Sequence, residues 1–136
     1  MDIHPEFRGA RFEKGIGIRR EVLGDEHVDR SLSAATDATA PLQKLVTEWC
    51  WGEIWARQGL DRRTRSFLNL AMLAALNRPH ELALHVRGAL QNGVSPAEIH
   101  EVVLQVAVYC GVPAAIDMQR VVAETLRSVG DEATME

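Results

Sequence analysis

Two segments of this sequence are apolar on nearly every side, and no other feature limits the possible fold as strongly. They cover residues 67–76 and 102–109, where the polar interruptions are Asn69 and Gln105. A helix that is apolar all round has to be buried all round. A chain of 136 residues can hardly enclose two such helices by itself. The sequence therefore predicts that copies of the chain associate and bury part of this surface in a subunit interface.

Local start and stop signals place these segments in a series of helices. Ser95 and Glu98 match a capping box with Pro96 between them, Asp61 can cap the helix that follows it, and Gly93 suits a left-handed helix end. No segment alternates for long in the manner of a strand, so an all-α fold is predicted. We expect one domain over residues 1–136, with a loose N-terminal arm (1–15) and a flexible tail (130–136). The predicted helices cover residues 16–23, part of 25–41, 42–57, 61–76, 79–92, 95–109 and 113–129.

The segment 42–57 combines an apolar face with three tryptophans. Helical spacing is close to ideal for Leu42, Leu45, Val46, Trp49 and Ile54. Packing in the core or in an interface is the expected role for most of the tryptophans, which are Trp49, Trp51 and Trp55.

Composition and charge exclude several classes of protein. Apolar residues make up 46% of the chain and charged residues 25%, which is typical of a globular protein. The net charge of −4 gives no reason to expect nucleic acid. The first ten residues lack the apolar stretch of a secretory signal. No apolar run is long enough to cross a bilayer. The two cysteines form no CxxC pair. These observations favour a cytoplasmic location and no membrane association.

Residues 77–92 carry the most informative candidate site. Pro79 suits the first turn of a helix, and Glu81 and His85 lie four residues apart on one face of it. A histidine is readily tuned to transfer protons near neutral pH, and a carboxylate one turn away can orient the ring and raise its basicity. By spacing alone, a simple surface pair is also compatible with the pattern.

Several stretches together resemble the 4-carboxymuconolactone decarboxylase family, within the alkylhydroperoxidase D-like superfamily. The similar stretches include Val22-Leu23-Gly24-Asp25, Trp51-Gly52-Glu53-Ile54-Trp55, His85-Val86-Arg87-Gly88-Ala89 and Tyr109-Cys110-Gly111-Val112-Pro113. The resemblance runs in register over residues 15–127. It implies an all-helical subunit that assembles as a homohexamer, a trimer of dimers. It also implies loss of CO2 from 4-carboxymuconolactone to give 3-oxoadipate enol-lactone, a step of protocatechuate breakdown in the β-ketoadipate pathway, without a metal or an organic cofactor.

Such a reaction needs three kinds of group from the protein. Cations must hold the substrate carboxylates, a donor must face the developing oxyanion, and an acid must protonate carbon. His85 is the candidate acid or oxyanion donor, and Glu81 is the candidate that tunes it. Carboxylate clamps are expected among Arg65, Arg78 and Arg87, because guanidinium groups match carboxylates bidentately. A structural ion pair is the alternative for each arginine, notably for Arg87, which lies about 200° round the helix from His85 and could pair with a glutamate at a subunit contact.

Three other functions are compatible with the sequence to different degrees. An alkylhydroperoxidase D-like peroxidase would need a CxxC pair, but residues 78–81 contain no sulfur. A related decarboxylase or isomerase could act on a different lactone or aromatic-derived acid, since Gln58 and Pro79-His80 depart from the family pattern. A non-catalytic assembly module is the third alternative, and the presence of His85 and Glu81 argues against it.

Overall fold

The computed structural model describes residues 3–135 and contains only helices and their connections in this range. The predicted all-α class is therefore confirmed. A π-helical segment, Val46–Ile54, follows α3. The α-helices are α1 (Ala10–Leu23), α2 (Asp25–Ser33), α3 (Ala40–Leu45), α4 (Arg62–Ala75), α5 (Pro79–Gln91), α6 (Pro96–Cys110) and α7 (Val112–Thr134).

The helices group into two compact units, Met1–Leu60 and Asp61–Glu136. In the first unit α1 packs against α2 and the π-helical segment, and in the second unit α4, α5, α6 and α7 pack together. The prediction of a single domain stays a prediction. Within the described residues, no helix is long and apolar enough to cross a membrane.

The predicted helix boundaries with local caps are confirmed. The Ser95 hydroxyl accepts a hydrogen bond from the Glu98 backbone N–H at 3.1 Å, and the Glu98 carboxylate accepts one from the Ser95 N–H at 3.0 Å. The Asp61 carboxylate accepts from the Thr64 N–H at 2.7 Å, and this bond holds the pKa of Asp61 below its ordinary value. Gly93 has a φ of 88°, as expected for the residue after α5. These caps satisfy backbone groups that a helix end would otherwise leave unpaired.

Within residues 3–135, helical structure extends further towards both ends than the sequence predicted. Helix α1 begins at Ala10, within the stretch predicted to be a loose arm, because Phe7 and Phe12 stack at 5.2 Å and are almost fully buried with α2 residues. Helix α7 continues through Gly130 to Thr134, within the predicted tail. An ion pair between Arg87 on α5 and Glu132 stabilises this last part of α7.

The predicted helix over residues 42–57 differs most from the structure. It divides into α3 and the π-helical segment, whose wider turns place Thr47, Trp51 and Gly52 on the buried side. Trp51 and Trp55 stack at 4.9 Å and are buried, as predicted for most of the tryptophans. The apolar face predicted from α-helical spacing is instead exposed, at 64% for Leu42, 53% for Leu45 and 49% for both Trp49 and Ile54.

A close approach between two helices accompanies the π-helical turns. A Cβ atom added to Gly15 on α1 would lie 1.9 Å from the Thr47 backbone oxygen, so only glycine allows this contact. One turn later on α1, the buried Arg19 donates from Nη1 to the Gln43 side-chain oxygen at 2.9 Å and to the Thr47 hydroxyl at 3.1 Å. Burial lowers the pKa of Arg19, because a low-dielectric environment disfavours its charged form.

The two all-round apolar segments are each buried on one side only. Leu70 and Ala74 of α4 and Ile99, Val103 and Val106 of α6 lie in the core of the second unit. The opposite side of each helix is exposed, with 51% exposure for Met72, 60% for Leu104, 80% for Val108 and 79% for Tyr109. The isolated chain therefore leaves much of this apolar surface in contact with water. The predicted association of subunits stays a prediction.

Candidate active site

The candidate site lies in the hairpin formed by α4 and α5. Three residues, 76–78, join the two helices, so they run antiparallel. Asn77 occupies a left-handed conformation at φ 56°, and Pro79 then begins α5. Towards the other end of the hairpin, the Asn92 amide donates to the Ser66 hydroxyl at 2.9 Å. This geometry aligns the middle of α4 with the middle of α5.

His85 lies in the middle of α5 and is half-buried beside α4. Leu82, Val86 and Ala89 on the same helix are buried in the core. The ring nitrogen Nδ1 of His85 is 3.4 Å from the side-chain nitrogen Nδ2 of Asn69 on α4. The imidazole is therefore flanked by an amide on one side, which limits the orientations that the ring can adopt.

Asn69 is a neighbour of His85 that sequence reasoning missed. A signal was present, since Asn69 is the polar residue that interrupts the apolar run of residues 67–76. A polar side chain among apolar ones on a packed helix usually has a hydrogen-bond partner. Identifying His85 as that partner required the alignment of α4 with α5.

Glu81 lies one helical turn before His85 and is exposed. Residues four apart on a helix share a face, so the carboxylate lies on the side of α5 that carries the ring. Its role in orienting His85 stays a prediction.

The three candidate arginines have different surroundings. Arg65 is half-buried on α4, one turn before Asn69 and on the same face. Arg78 is exposed, and its Nη1 donates to the backbone oxygens of Leu76 and Asn77 at 3.0 and 3.3 Å, which caps the carboxyl end of α4. Arg65 is thus the candidate clamp in the part of the hairpin that carries His85.

Arg87 forms a bidentate ion pair within its own chain. Its two terminal nitrogens donate to the Glu132 carboxylate at 2.9 and 3.0 Å, and one of them also donates to the Ser128 hydroxyl at 2.9 Å. The guanidinium holds the pKa of Glu132 below its ordinary value. The alternative of a structural ion pair for Arg87 is therefore the one observed, although its glutamate comes from α7 of the same chain and not from a neighbouring subunit.

The two cysteines have no features of a dithiol site. Cys50 and Cys110 are unpaired thiols in different units of the chain. Burial of the thiol raises the pKa of Cys50, despite the nearby Arg19 cation, and so disfavours the reactive thiolate. These properties agree with the expectation that the chemistry does not depend on a CxxC pair.

The sequence that forms this hairpin matches a known family of proteins. The sequence model of the carboxymuconolactone decarboxylase family matches residues 40–124, which include the whole hairpin. A nitrosuccinic acid decarboxylase, npaB of Metarhizium robertsii, is 46% identical over 127 residues, covering 93% of this chain and 89% of that protein. A 4-carboxymuconolactone decarboxylase of Acinetobacter baylyi is 38% identical over 120 residues, covering 88% of this chain and 90% of that protein.

The chain belongs to the carboxymuconolactone decarboxylase family. The family resemblance inferred from the motifs is thereby confirmed. The predicted enzyme class, a carboxy-lyase, is confirmed as well, because both of these relatives are decarboxylases.

Proposed function

We propose that this protein removes CO2 from a small dicarboxylic acid. In such a substrate, the electrons left behind by the departing CO2 can move onto an oxygen atom of the same molecule. The observation that carries this proposal is the half-buried His85, which lies beside the amide of Asn69 in the family-matching hairpin. As a specific reaction, we propose the conversion of 4-carboxymuconolactone to 3-oxoadipate enol-lactone, which the sequence motifs imply. This reaction would place the protein in protocatechuate breakdown by the β-ketoadipate pathway.

Nitrosuccinic acid is a second candidate substrate, and the 46% identity to a decarboxylase of that acid favours it. The two acids pose the same chemical problem. When the lactone loses CO2, the electrons of the broken bond spread through the double bond to the lactone carbonyl oxygen. When nitrosuccinic acid loses the carboxyl group beside its nitro group, the electrons move to the nitro oxygens, and protonation of carbon then gives 3-nitropropanoic acid. In both reactions negative charge grows on an oxygen, so a donor placed there lowers the barrier.

His85 supplies the donor or the proton in this proposal. A histidine N–H facing the sink oxygen stabilises the charge as it develops, and a positioned acid can then protonate carbon. In the lactone the protonated carbon is the one next to the carbonyl, whereas in nitrosuccinic acid it is the carbon that bears the nitro group. Glu81, one turn away on α5, tunes the ring. No metal or organic cofactor takes part, because the substrate carries its own electron sink.

Arg65 is the first candidate to hold a substrate carboxylate. It is half-buried, and it shares a face of α4 with Asn69, which contacts His85. A guanidinium in such an environment binds a carboxylate through two parallel hydrogen bonds. Arg78 and Arg87 are weaker candidates because of their positions: Arg78 lies at the turn between α4 and α5, and Arg87 lies on the side of α5 that faces Glu132 of α7.

We further propose that the subunits assemble as a homohexamer, a trimer of dimers, through the exposed apolar sides of α4 and α6. The exposed side chains Met72, Leu104, Val108 and Tyr109 support association, because apolar surface of this extent is unfavourable in water. Light scattering coupled to size-exclusion chromatography measures the assembly directly. A monomer at micromolar concentration would contradict this part of the proposal.

A direct assay tests the reaction and separates the two substrates. The purified protein is incubated with each acid in turn, and CO2 release and the ultraviolet absorbance of the acid are followed against the spontaneous rate without protein. We expect acceleration of at least one acid, and the ratio of the two kcat/KM values identifies the preferred one. If the folded and assembled protein accelerates neither reaction, both substrate assignments are wrong.

A further inference from the structure

Asn69 is a half-buried amide whose described contact is with the catalytic candidate. It lies on α4 among apolar neighbours, and its side-chain nitrogen Nδ2 is 3.4 Å from Nδ1 of His85 on α5. This separation is at the long end for a hydrogen bond, and contacts in catalytic sites commonly tighten when substrate binds. Such a placement constrains the protonation of the ring as well as its orientation.

The donor and acceptor chemistry of the two groups determines the tautomer. The nitrogen of an amide side chain donates hydrogen bonds and has no lone pair with which to accept one. The nitrogen Nδ1 of His85 therefore has to be the acceptor, so it carries no proton. In a neutral imidazole one ring nitrogen carries the proton, and here that nitrogen is Nε2.

We propose that Asn69 is a positioning residue that holds His85 as the neutral Nε2–H tautomer, so that the ring presents an N–H donor to the oxygen on which negative charge develops. This inference rests on the proposed decarboxylation and deepens it. It assigns His85 to oxyanion stabilisation, because a neutral Nε2–H group donates a hydrogen bond without first receiving a proton. Carbon is then protonated by water after CO2 has left, because a neutral imidazole that gave up its Nε2 proton would become an imidazolate. The hydroxide formed in this step is neutralised by the solvent.

The charged groups on the helices around His85 are compatible with a neutral ring. Arg65, on the same face of α4 as Asn69, disfavours a second positive charge nearby. On α7, the carboxylate of Glu132 is neutralised by Arg87. Glu81 on α5 is the group that favours a protonated ring, but it is exposed and its effect is therefore screened by solvent.

The tautomer can be measured without any assay of activity. Protein labelled with ¹⁵N in its histidines gives ring-nitrogen chemical shifts that distinguish a protonated from an unprotonated nitrogen, and a His85→Gln variant identifies which signals belong to His85. At pH 8, we expect the unprotonated signal at Nδ1 and the protonated signal at Nε2. If Nδ1 carries the proton instead, the amide presents its oxygen to the ring and the proposal is overturned.

Two substitutions of Asn69 test the cause of this preference. Asn69→Asp replaces the donor by an acceptor, so the proton should move to Nδ1 and the ring should titrate at higher pH. Asn69→Ala removes the donor, so a mixture of tautomers is expected. For a reaction that depends on the Nε2–H donor, each change should lower kcat by about tenfold, the equivalent of one hydrogen bond, with a smaller effect on KM.

Asn92→Ala is the matched control, since Asn92 is also an asparagine that bonds across the α4–α5 hairpin but contacts Ser66 and not His85. It should leave both the ring signals of His85 and kcat unchanged. Ring signals in Asn69→Ala that are identical to those of the parent would show that Asn69 does not set the tautomer. If the parent accelerates neither acid, the substrate proposal fails, whereas the ring signals still decide the tautomer. If Asn69→Ala does not fold, the parent spectrum and Asn69→Asp decide it.

Discussion

The contact between α1 and the π-helical segment predicts opposite effects for two glycine-to-alanine substitutions in the same helix. In Gly15→Ala, the new Cβ would lie 1.9 Å from the Thr47 oxygen, 2.9 Å from the Thr47 carbonyl carbon and 3.1 Å from the Gly52 nitrogen. All three are backbone atoms, so no side chain can rotate away. In Gly17→Ala, by contrast, no atom lies within 4 Å of the new Cβ. Gly17 therefore controls for the intrinsic preference of alanine for helices.

The size of the effect follows from these distances. A carbon and a carbonyl oxygen in close contact are normally at least about 3.3 Å apart, so the two segments must separate by about 1.4 Å around Gly15. Overpacking of this kind costs about 1–3 kcal/mol. The shift would also disturb the two hydrogen bonds of Arg19, at about 0.5–1.5 kcal/mol each. Alanine regains about 1 kcal/mol of helix propensity, which leaves a net loss of about 1–5 kcal/mol for Gly15→Ala.

Urea unfolding at a fixed protein concentration measures both variants against the parent. With a denaturant slope of about 2 kcal/mol/M, the midpoint of Gly15→Ala should fall by about 0.5–2.5 M. The midpoint of Gly17→Ala should rise by up to about 0.5 M, since the same slope applies to a gain of about 1 kcal/mol. The concentration is kept constant because association of subunits also contributes to the measured stability. Equal midpoints for Gly15→Ala and Gly17→Ala would refute the close approach described here.

Three further predictions concern the site and its surroundings. His85→Ala should lower kcat by about 10²–10⁴, the usual range for a positioned acid–base group. The control His80→Ala, at an exposed position of α5, should leave kcat unchanged. A folded His85→Ala enzyme with the parental kcat would show that the role of His85 is structural. Arg65→Lys should raise KM or lower kcat, because lysine keeps the charge but loses the bidentate geometry, and parental kinetics would remove Arg65 as a clamp. Glu132→Gln should lower the unfolding temperature at pH 7 and lower it much less at pH 3. The ion pair with Arg87 depresses the pKa of Glu132 in the folded protein. The ion pair therefore stabilises the fold above the ordinary glutamate range, and this stabilisation is lost as the pH falls through the depressed pKa. An equal effect of this substitution at both pH values would contradict the assignment.

The sequence predicted best those features that depend on local chemistry. The capping box at Ser95 and the cap at Asp61 each involve residues within a single turn, so the residue types alone indicate them. The candidate histidine was found for a similar reason, because Glu81, His85 and the following residues form a contiguous motif. By contrast, residues 1–15 were predicted to form a loose arm, whereas α1 begins at Ala10 and Phe7 and Phe12 lie in a buried cluster with residues of α2.

Features that depend on tertiary contacts were not predictable in the same way. Residues 42–57 divide into α3 and the π-helical segment, Leu42, Leu45 and Trp49 are exposed in the isolated chain, and the π-helical segment packs closely against α1 at Gly15. The proximity of Asn69 to His85 depends on how α4 aligns with α5. A rule based on residue spacing assumes α-helical turns and does not say which helices pack against each other. It could therefore reveal neither the π-helical segment nor the contact between Asn69 and His85.

The chemistry of the proposed reaction explains how one hairpin could serve decarboxylases of different acids. In such a reaction the substrate supplies the electron sink, so the protein needs only a cation for a carboxylate and a donor for the oxygen that becomes negative. His85 and Arg65 are candidates for these two tasks, and neither task depends on whether the sink is a lactone carbonyl or a nitro group. The choice between acids then depends on the side chains that shape the space around the sink, where one added or missing group changes kcat/KM by about 10–200-fold. Substitutions at such positions should therefore change the ratio of kcat/KM for the two acids, whereas His85→Ala should lower both values together.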